Sequence, residues 1–116
     1  MKKILIVDDE ESIHLFYSAA LEDEGYEVHS ALTGDEALNT LDIIKPDLVI
    51  LDIQMPGLNG IDTLRQMKEK MPEMPVILSS AYPEFKQDLG SWASEDYIVK
   101  SADLTDLLES VNKHLS

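Results

Sequence analysis

The feature that most constrains the fold of this chain is a repeated alternation of short apolar segments with longer segments of helical periodicity. Five short segments predict strands, at residues 4–7, 28–31, 48–51, 76–78 and 97–99. Between and after them, apolar residues recur three and four positions apart, as on the buried face of a helix. Strands that alternate with helices form a parallel sheet with right-handed crossovers and helices on both faces. The sequence therefore predicts an α/β fold.

The residues at the predicted helix ends support this division. Gly25 ends the first helix, Thr33 and Glu36 have the spacing of a capping box at the start of the second, and Pro46 closes it. Apolar stripes mark the first helix (Ile13, Phe16, Tyr17, Ala20, Leu21), the third (Ile61, Leu64, Met67, Met71) and the last (Leu104, Leu107, Leu108, Val111, Leu115). The segment 83–94 contains Gly90, Ser91 and Ser94, and predicts only a short or frayed fourth helix.

Length and charge limit the function. With 116 residues and no cysteine, we expect a single domain over residues 1–116 with a core that needs no disulfide. The formal charge of −14 disfavours direct binding to nucleic acid or an anionic membrane surface and favours cations and basic partners. The first apolar run ends at Asp8, too early for an export signal, and no segment predicts a membrane span. We therefore expect a cytoplasmic protein.

Polar residues follow four of the predicted strands. They are Asp8 and Asp9 after the first strand, Asp52 after the third, Ser79 and Ser80 after the fourth, and Lys100 after the fifth. Ligands of open parallel sheets bind beyond the carboxyl ends of the strands, so these side chains should converge there. Carboxylates in close proximity need a cation, and hard oxygen ligands suit Mg²⁺. An aspartate beside a metal ion and a lysine can attack phosphorus, so the residue types indicate phosphoryl transfer.

Each of these residues taken alone has a simpler interpretation. An Asp at a strand end is often a turn former or helix cap, two serines favour a turn, and a lysine is usually solvated. His14 follows the acidic residues on the first helix, which leaves open an approach to the metal site, but a position on the surface is the simpler interpretation. Asp52 is the exception, since a buried unpaired carboxylate directly after four apolar residues is costly. The combination of all these residues at the right strand ends favours the functional interpretation.

Taken as a set, four stretches resemble the response-regulator receiver domain over essentially the whole chain. They are Ile4–Glu10 (ILIVDDE), Leu51–Gly60 (LDIQMPGLNG), Pro75–Tyr82 (PVILSSAY) and Asp96–Lys100 (DYIVK). The resemblance implies a flavodoxin-like (CheY-like) fold with five helices and a five-stranded sheet of order 2-1-3-4-5, the order that CheY illustrates.

The resemblance also implies roles for particular residues. Asp52 would be the phosphoacceptor, and Mg²⁺ would be bound by Asp8, Asp9, Asp52 and the backbone carbonyl of Gln54. Ser80 and Lys100 would each contact a phosphoryl oxygen. Tyr97 resembles an aromatic switch residue that turns inward when Ser80 moves toward the phosphate.

A receiver domain of this kind takes a phosphoryl group from a sensor histidine kinase or a histidine phosphotransfer protein. It then acts on a downstream protein or output domain, as a monomer or a phosphorylation-dependent dimer. It is a signalling domain rather than an enzyme, with self-phosphotransfer and slow autodephosphorylation expected. Two alternatives stay open: a receiver-fold module that works without phosphorylation, and a Mg²⁺-dependent aspartyl-phosphate phosphatase, for which the chain leaves little room for a substrate-enclosing cap.

One departure from the family pattern concerns the bond after Lys100. The family has a proline there with a cis peptide bond, whereas this chain has Ser101. A cis bond before a non-proline residue costs roughly 2.5–4 kcal/mol. We therefore expect a trans bond, with Lys100 reaching the site through its flexible side chain.

Overall fold

A five-stranded parallel sheet of order β2-β1-β3-β4-β5 forms the centre of the molecule. The computed structural model describes residues 1–53, 60–80, 96–100 and 104–115. The strands are β1 (Lys3–Val7), β2 (Glu27–Ala31), β3 (Leu48–Asp52), β4 (Val76–Ser80) and β5 (Asp96–Val99). The helices in the described residues are α1 (Glu11–Asp23), α2 (Gly34–Ile44), α3 (Gly60–Lys70) and α4 (Thr105–Leu115). The predicted α/β fold and strand order are confirmed, whereas the helix expected within residues 83–94 lies outside the described residues.

Two apolar cores, one on each face of the sheet, hold the helices in place. Successive residues of a strand point to opposite faces. In β1, for example, Ile4 and Ile6 belong to the core under α1 and α4, whereas Leu5 and Val7 belong to the core under α2 and α3. The central strands β1, β3 and β4 are buried over nearly their whole length, as expected for strands covered on both faces.

The helix ends follow from local residue chemistry. Thr33 is the N-cap of α2, and its side-chain oxygen accepts a hydrogen bond from the Glu36 backbone N–H at 3.1 Å. Lys45 adopts the left-handed conformation, with φ of 50°, and ends α2 before Pro46. Gly25 has a φ of 95°, a conformation that a side chain disfavours, and follows the end of α1.

Two sequence interpretations are corrected by the structure. Ser79 and Ser80 do not form a turn, because β4 continues through both and they are 1% and 0% exposed. In α1 the buried residues are His14, Tyr17 and Leu21, whereas Phe16 is 42% exposed. The helix is therefore rotated so that a histidine, which we placed on the surface, faces the protein interior. The apolar stripe alone did not show this, since Phe16 and Tyr17 are adjacent.

The helices of the described residues are short. The longest, α1, has 13 residues. Within the described part of the chain no helix has both the length and the apolar character to cross a membrane.

Candidate functional site

The candidate site lies at the carboxyl edge of the sheet, on the face covered by α1 and α4. Ile6, Ile50 and Ile98 all belong to the core on this face. Two positions further along the chain stand Asp8, Asp52 and Lys100. Because the side-chain repeat of a strand is two residues, the apolar pattern that builds this core also brings these three polar side chains together.

Lys100 joins the two buried carboxylates. Its Nζ lies 2.7 Å from Asp8 Oδ2 and 3.3 Å from Asp52 Oδ2, and the exposed Glu10 is more distant at 3.9 Å. The Lys100 side chain is 13% exposed and those of Asp8 and Asp52 are each 3% exposed. The backbone N–H of Lys100 donates to the Ser80 carbonyl at 2.7 Å, which fixes the end of β5 against β4. The predicted convergence of Asp8, Asp52 and Lys100 is thus seen in the structure.

The carboxylates set the protonation of this lysine. Burial is the largest single effect and lowers the pKa of Lys100, but the hydrogen bonds and charges of Asp8 and Asp52 together outweigh it. The pKa is therefore raised above its ordinary value of 10.5. Lys100 is an ammonium at neutral pH, and it offsets one of the two buried negative charges.

The turn between β1 and α1 carries the remaining acidic groups. Carboxylate oxygens of Asp8, Asp9 and Glu10 lie within 4.8 Å of one another, and Asp9 and Glu10 are exposed. Among the described residues, Lys100 is the cation that contacts these carboxylates, and they outnumber it. Carboxylate oxygens that open to solvent on one side match the preference of Mg²⁺ for hard ligands and retained water. The residues present therefore fit a magnesium ion. Gln54, whose carbonyl we expected as a further ligand, lies outside the described residues.

Ser80 and Tyr97 lie toward the other face of the sheet. Tyr97 is 8% exposed and packs in the core under α2 and α3, together with Leu78. Ser80 stands two positions after Leu78, so the alternation of β4 places it on the same face as Tyr97. The two residues of the expected switch thus share a face of the sheet. The Lys100–Ser101 bond is outside the described residues.

Two side chains of α1 reach the site, although the sequence predicted His14 at the surface and Tyr17 only as part of the apolar stripe of the helix. His14 is 7% exposed, and its Nε2 lies 2.7 Å from the Asp8 carbonyl oxygen. Tyr17 is 3% exposed, and burial raises the pKa of its phenol, against smaller lowering effects of the Ser79 hydroxyl and the Lys100 ammonium. Ser79 Oγ makes no well-formed hydrogen bond within the described part of the chain. The spacing could have indicated that His14 is buried, since His14 and Tyr17 are three residues apart and therefore share a helix face.

The sequence as a whole matches a known family. The model of the response regulator receiver domain matches residues 4–112. The alkaline phosphatase synthesis transcriptional regulatory protein PhoP of Bacillus subtilis is 41% identical over 101 residues, which cover 85% of this chain and 42% of PhoP. Sporulation initiation phosphotransferase F of the same species is 34% identical over 116 residues, which cover 98% of this chain and 94% of that protein. The chain thus spans less than half the length of PhoP and nearly all of the phosphotransferase.

Solved structures agree with this assignment. The response regulator TrrA of Thermotoga maritima, crystallised with Mg²⁺-BeF, is 43% identical and superposes with a TM-score of 0.93, covering 99% of this chain and 100% of TrrA. TrrA in complex with the histidine kinase ThkA superposes with a TM-score of 0.91 at 42% identity, covering 100% of both chains. With the family model matched over residues 4–112 and the fold shared along the chain, this protein belongs to the response regulator receiver domain family.

Proposed function

We propose that residues 1–116 form one receiver domain that accepts a phosphoryl group on Asp52 from a phosphohistidine. The observation that carries this proposal is the contact of Lys100 Nζ with Asp8 at 2.7 Å and Asp52 at 3.3 Å, in a site that also bears exposed carboxylates. The donor is a sensor histidine kinase or a histidine phosphotransfer protein. The complex of TrrA with the histidine kinase ThkA supports a donor of this class.

In the transfer step, a carboxylate oxygen of Asp52 forms a bond to phosphorus while the N–P bond of the phosphohistidine breaks. The electron pair of that bond returns to the imidazole, which takes up a proton. Lys100 is already held beside Asp52, so its ammonium can contact a phosphoryl oxygen without a large rearrangement. Because the side chains of Lys100 and Asp52 are themselves largely buried, the charge of Lys100 acts more strongly on Asp52 than it would in bulk solvent.

Magnesium is the cofactor that this site would take. Asp8, Asp9 and Asp52, with the Gln54 carbonyl, would hold it. The bound ion would neutralise charge on the phosphoryl oxygens. The structure of TrrA with Mg²⁺-BeF supports this assignment, because TrrA and this chain share their fold.

The signal would be a shift between two conformers. A phosphoryl group on Asp52 would draw the Ser80 hydroxyl toward it, and Tyr97 would move into the space that Ser80 leaves. Both residues are buried on the same face of the sheet in the present structure. A ligand shifts such an equilibrium only by the contacts that one conformer alone can make, and a hydrogen bond from Ser80 to the phosphoryl group is one of them. The output is a downstream protein or an attached domain.

Asp52→Asn tests the assignment directly. The amide keeps the shape of the side chain but is not a nucleophile, so labelling by a small phosphodonor or by a partner kinase should disappear while the circular dichroism spectrum stays unchanged. An acyl phosphate is also cleaved by hydroxylamine, so the label on the unsubstituted protein should be lost on that treatment.

Asp23→Asn is the matched control, because Asp23 is exposed at the far end of α1 and undergoes the same chemical change. Its labelling should equal that of the unsubstituted protein. Persistent labelling of Asp52→Asn would contradict the choice of acceptor. Regulation of a partner by the unphosphorylated chain and the Asp52→Asn variant alike would favour a phosphorylation-independent module, and multiple turnovers on small phosphomonoesters would favour a phosphatase.

A further inference from the structure

His14 is a buried polar side chain that the proposed phosphotransfer chemistry does not use. It lies in the first part of α1, facing the sheet, and is 7% exposed. Its Nε2 is 2.7 Å from the backbone carbonyl oxygen of Asp8, six residues earlier in the chain. Since a carbonyl oxygen can only accept, Nε2 must carry the hydrogen. The ring thus donates a hydrogen bond from the helix to the end of β1.

This hydrogen bond completes a set of contacts that holds Asp8 on every side. The Asp8 backbone N–H donates to the Ala31 carbonyl at 3.1 Å. Asp8 Oδ1 accepts from the Glu10 backbone N–H at 2.9 Å, and Oδ2 contacts Lys100. The Asp8 carbonyl is the remaining polar group, and His14 is its partner.

Besides the His14 contact, the start of α1 is joined to Asp8 by the hydrogen bond from the Glu10 N–H to Asp8 Oδ1. Its N-cap residue is Glu10, whose side chain makes no capping hydrogen bond in the described structure. The backbone bond from Ile13 N–H to the Glu10 carbonyl, at 3.1 Å, links the helix to its own cap and not to β1. The His14 contact is therefore a direct link between the first turns of α1 and the residue at the end of β1. Asp9 lies between the two points that this link joins.

We propose that His14 is a positioning residue for the acidic site. By holding the Asp8 carbonyl, it fixes the turn of residues 8–10 and so sets the direction of the Asp8 and Asp9 carboxylates toward a bound cation. Groups that orient metal ligands are often worth 10- to 100-fold in metal affinity, although they touch no metal. This inference rests on the proposed function, since it assigns His14 to the magnesium-binding geometry of the same site.

The test compares the Mg²⁺ affinity of folded variants by isothermal titration calorimetry. His14→Leu fills the space but has no donor, and it should bind Mg²⁺ about 10-fold more weakly. His14→Gln places an amide N–H at the distance of Nε2 and should restore most of the affinity. His29→Leu is the matched control, because His29 is partly exposed on the edge strand β2 and pairs with Glu27. Its affinity should be unchanged.

A second measurement needs no substitution. Nitrogen-15 NMR of the unsubstituted protein should show His14 with its hydrogen on Nε2. A hydrogen on Nδ1 alone would overturn the proposal, whether or not His14→Leu folds. If His14→Leu and the unsubstituted chain bind Mg²⁺ equally, the positioning role is wrong while the proposed function stands. If the unsubstituted chain neither binds Mg²⁺ nor becomes phosphorylated, the proposed function fails and this inference fails with it.

Discussion

At the scale of single residues, the environment of Lys100 differs from that of a surface lysine, since its side chain is 13% exposed and contacts two buried carboxylates. It forms an ion pair with Asp8 and lies close to Asp52, and these two contacts keep the lysine protonated although burial favours its neutral form. Removing one partner of a buried ion pair leaves uncompensated charge, which typically costs 3–5 kcal/mol. The lysine therefore contributes to the stability of the unphosphorylated fold and is also the cation in the site.

The raised pKa of Lys100 predicts how stability depends on pH. The folded state holds the proton more tightly than the unfolded state, whose lysine has a pKa near 10.5. The stabilisation is thus complete below pH 10.5 and is lost as the pH rises through the higher folded-state pKa. The free energy of unfolding of the unsubstituted protein should fall more steeply above pH 10.5 than that of Lys100→Arg, in which the charge persists. Urea titrations at a series of alkaline pH values would measure this, and parallel curves for the two proteins would contradict it.

The sequence predicted the charged residues of the site but not the polar side chains beneath them. Asp52 was identifiable by itself, because an ionised group directly after a buried apolar run is costly without a partner. Asp8 and Lys100 were identifiable only in combination with it, since all three follow strands whose carboxyl ends meet at one edge of the sheet. His14 was assigned to the surface, because a histidine in an amphipathic helix is compatible with either the surface or the core. Tyr17 was placed on the apolar stripe of the helix but was given no role in the site. Which side they face depends on the rotation of α1 about its axis, and that rotation is set by packing against the sheet.

At the scale of secondary-structure elements, the start of α2 rests on one capping contact. Thr33 Oγ1 accepts from the Glu36 N–H, while Glu36 Oε2 accepts from the Leu32 N–H at 3.3 Å, one residue earlier than in an ideal capping box. Thr33→Ala should lower the free energy of unfolding by about 1 kcal/mol. Thr33→Ser keeps the hydroxyl acceptor and should lower the free energy of unfolding much less. Equal losses for the two variants in urea unfolding would show that the methyl group and not the cap matters.

The last helix, α4, is attached to β5 through a partly buried hydrogen bond. The Ser110 hydroxyl, in a residue that is 6% exposed, donates to Asp96 Oδ2 at 2.5 Å. Burial is the largest effect on the Asp96 carboxyl and raises its pKa, but the hydrogen bonds from Ser110 and the Tyr97 N–H, with nearby positive charge, outweigh it. The pKa of Asp96 is therefore lowered from its ordinary value of 3.8.

Ser110→Ala should cost about 1–2 kcal/mol of folding free energy at pH 7, because the hydrogen bond is made to a charged acceptor that is partly exposed. A lowered carboxyl pKa gives stability that is present above the unfolded-state pKa and is lost as the pH falls through the folded-state pKa. The free energy of unfolding of the unsubstituted protein should therefore approach that of Ser110→Ala below about pH 3.8. A difference that stays constant through this range, measured by urea unfolding, would mean that Ser110 acts through packing alone.

Most elements could be predicted from the sequence because their local signals agree with the fold. Gly25 and Pro46 mark the ends of α1 and α2, and the β-branched run of β3 is typical of a strand buried on both faces. The end of β4 was placed too early, since Ser79 and Ser80 have no apolar side chain. Both belong to the strand because the extent of a strand depends on backbone pairing. Ser79 is in register with Asp52 of β3, and Ser80 with Val99 of β5.

At the scale of the whole molecule, two kinds of negative charge act on stability. The formal net charge of −14 gives a diffuse repulsion that any salt can screen. The acidic residues at the carboxyl edge of the sheet are different, because Asp8, Asp9 and Glu10 are held within a few ångströms of one another by the fold. Screening of the diffuse repulsion depends on ionic strength alone, whereas we expect neutralisation of the clustered carboxylates to depend on which cation is present.

This difference predicts that MgCl₂ will stabilise the protein more than NaCl at matched ionic strength. A ligand that binds only the folded state adds about 2.7 kcal/mol to the free energy of unfolding when its concentration is 100 times its Kd. Asp9→Asn removes an exposed carboxylate of the site and should abolish this excess while leaving the response to NaCl unchanged. Asp23→Asn makes the same change in net charge at the far end of α1 and should keep the excess. The measurement is the thermal unfolding of the three proteins in each of the two salts. Equal effects of MgCl₂ and NaCl on the unsubstituted protein would show that magnesium acts only by screening charge. If Asp9→Asn kept the full additional stabilisation by MgCl₂, Asp9 would not belong to the proposed ligand set.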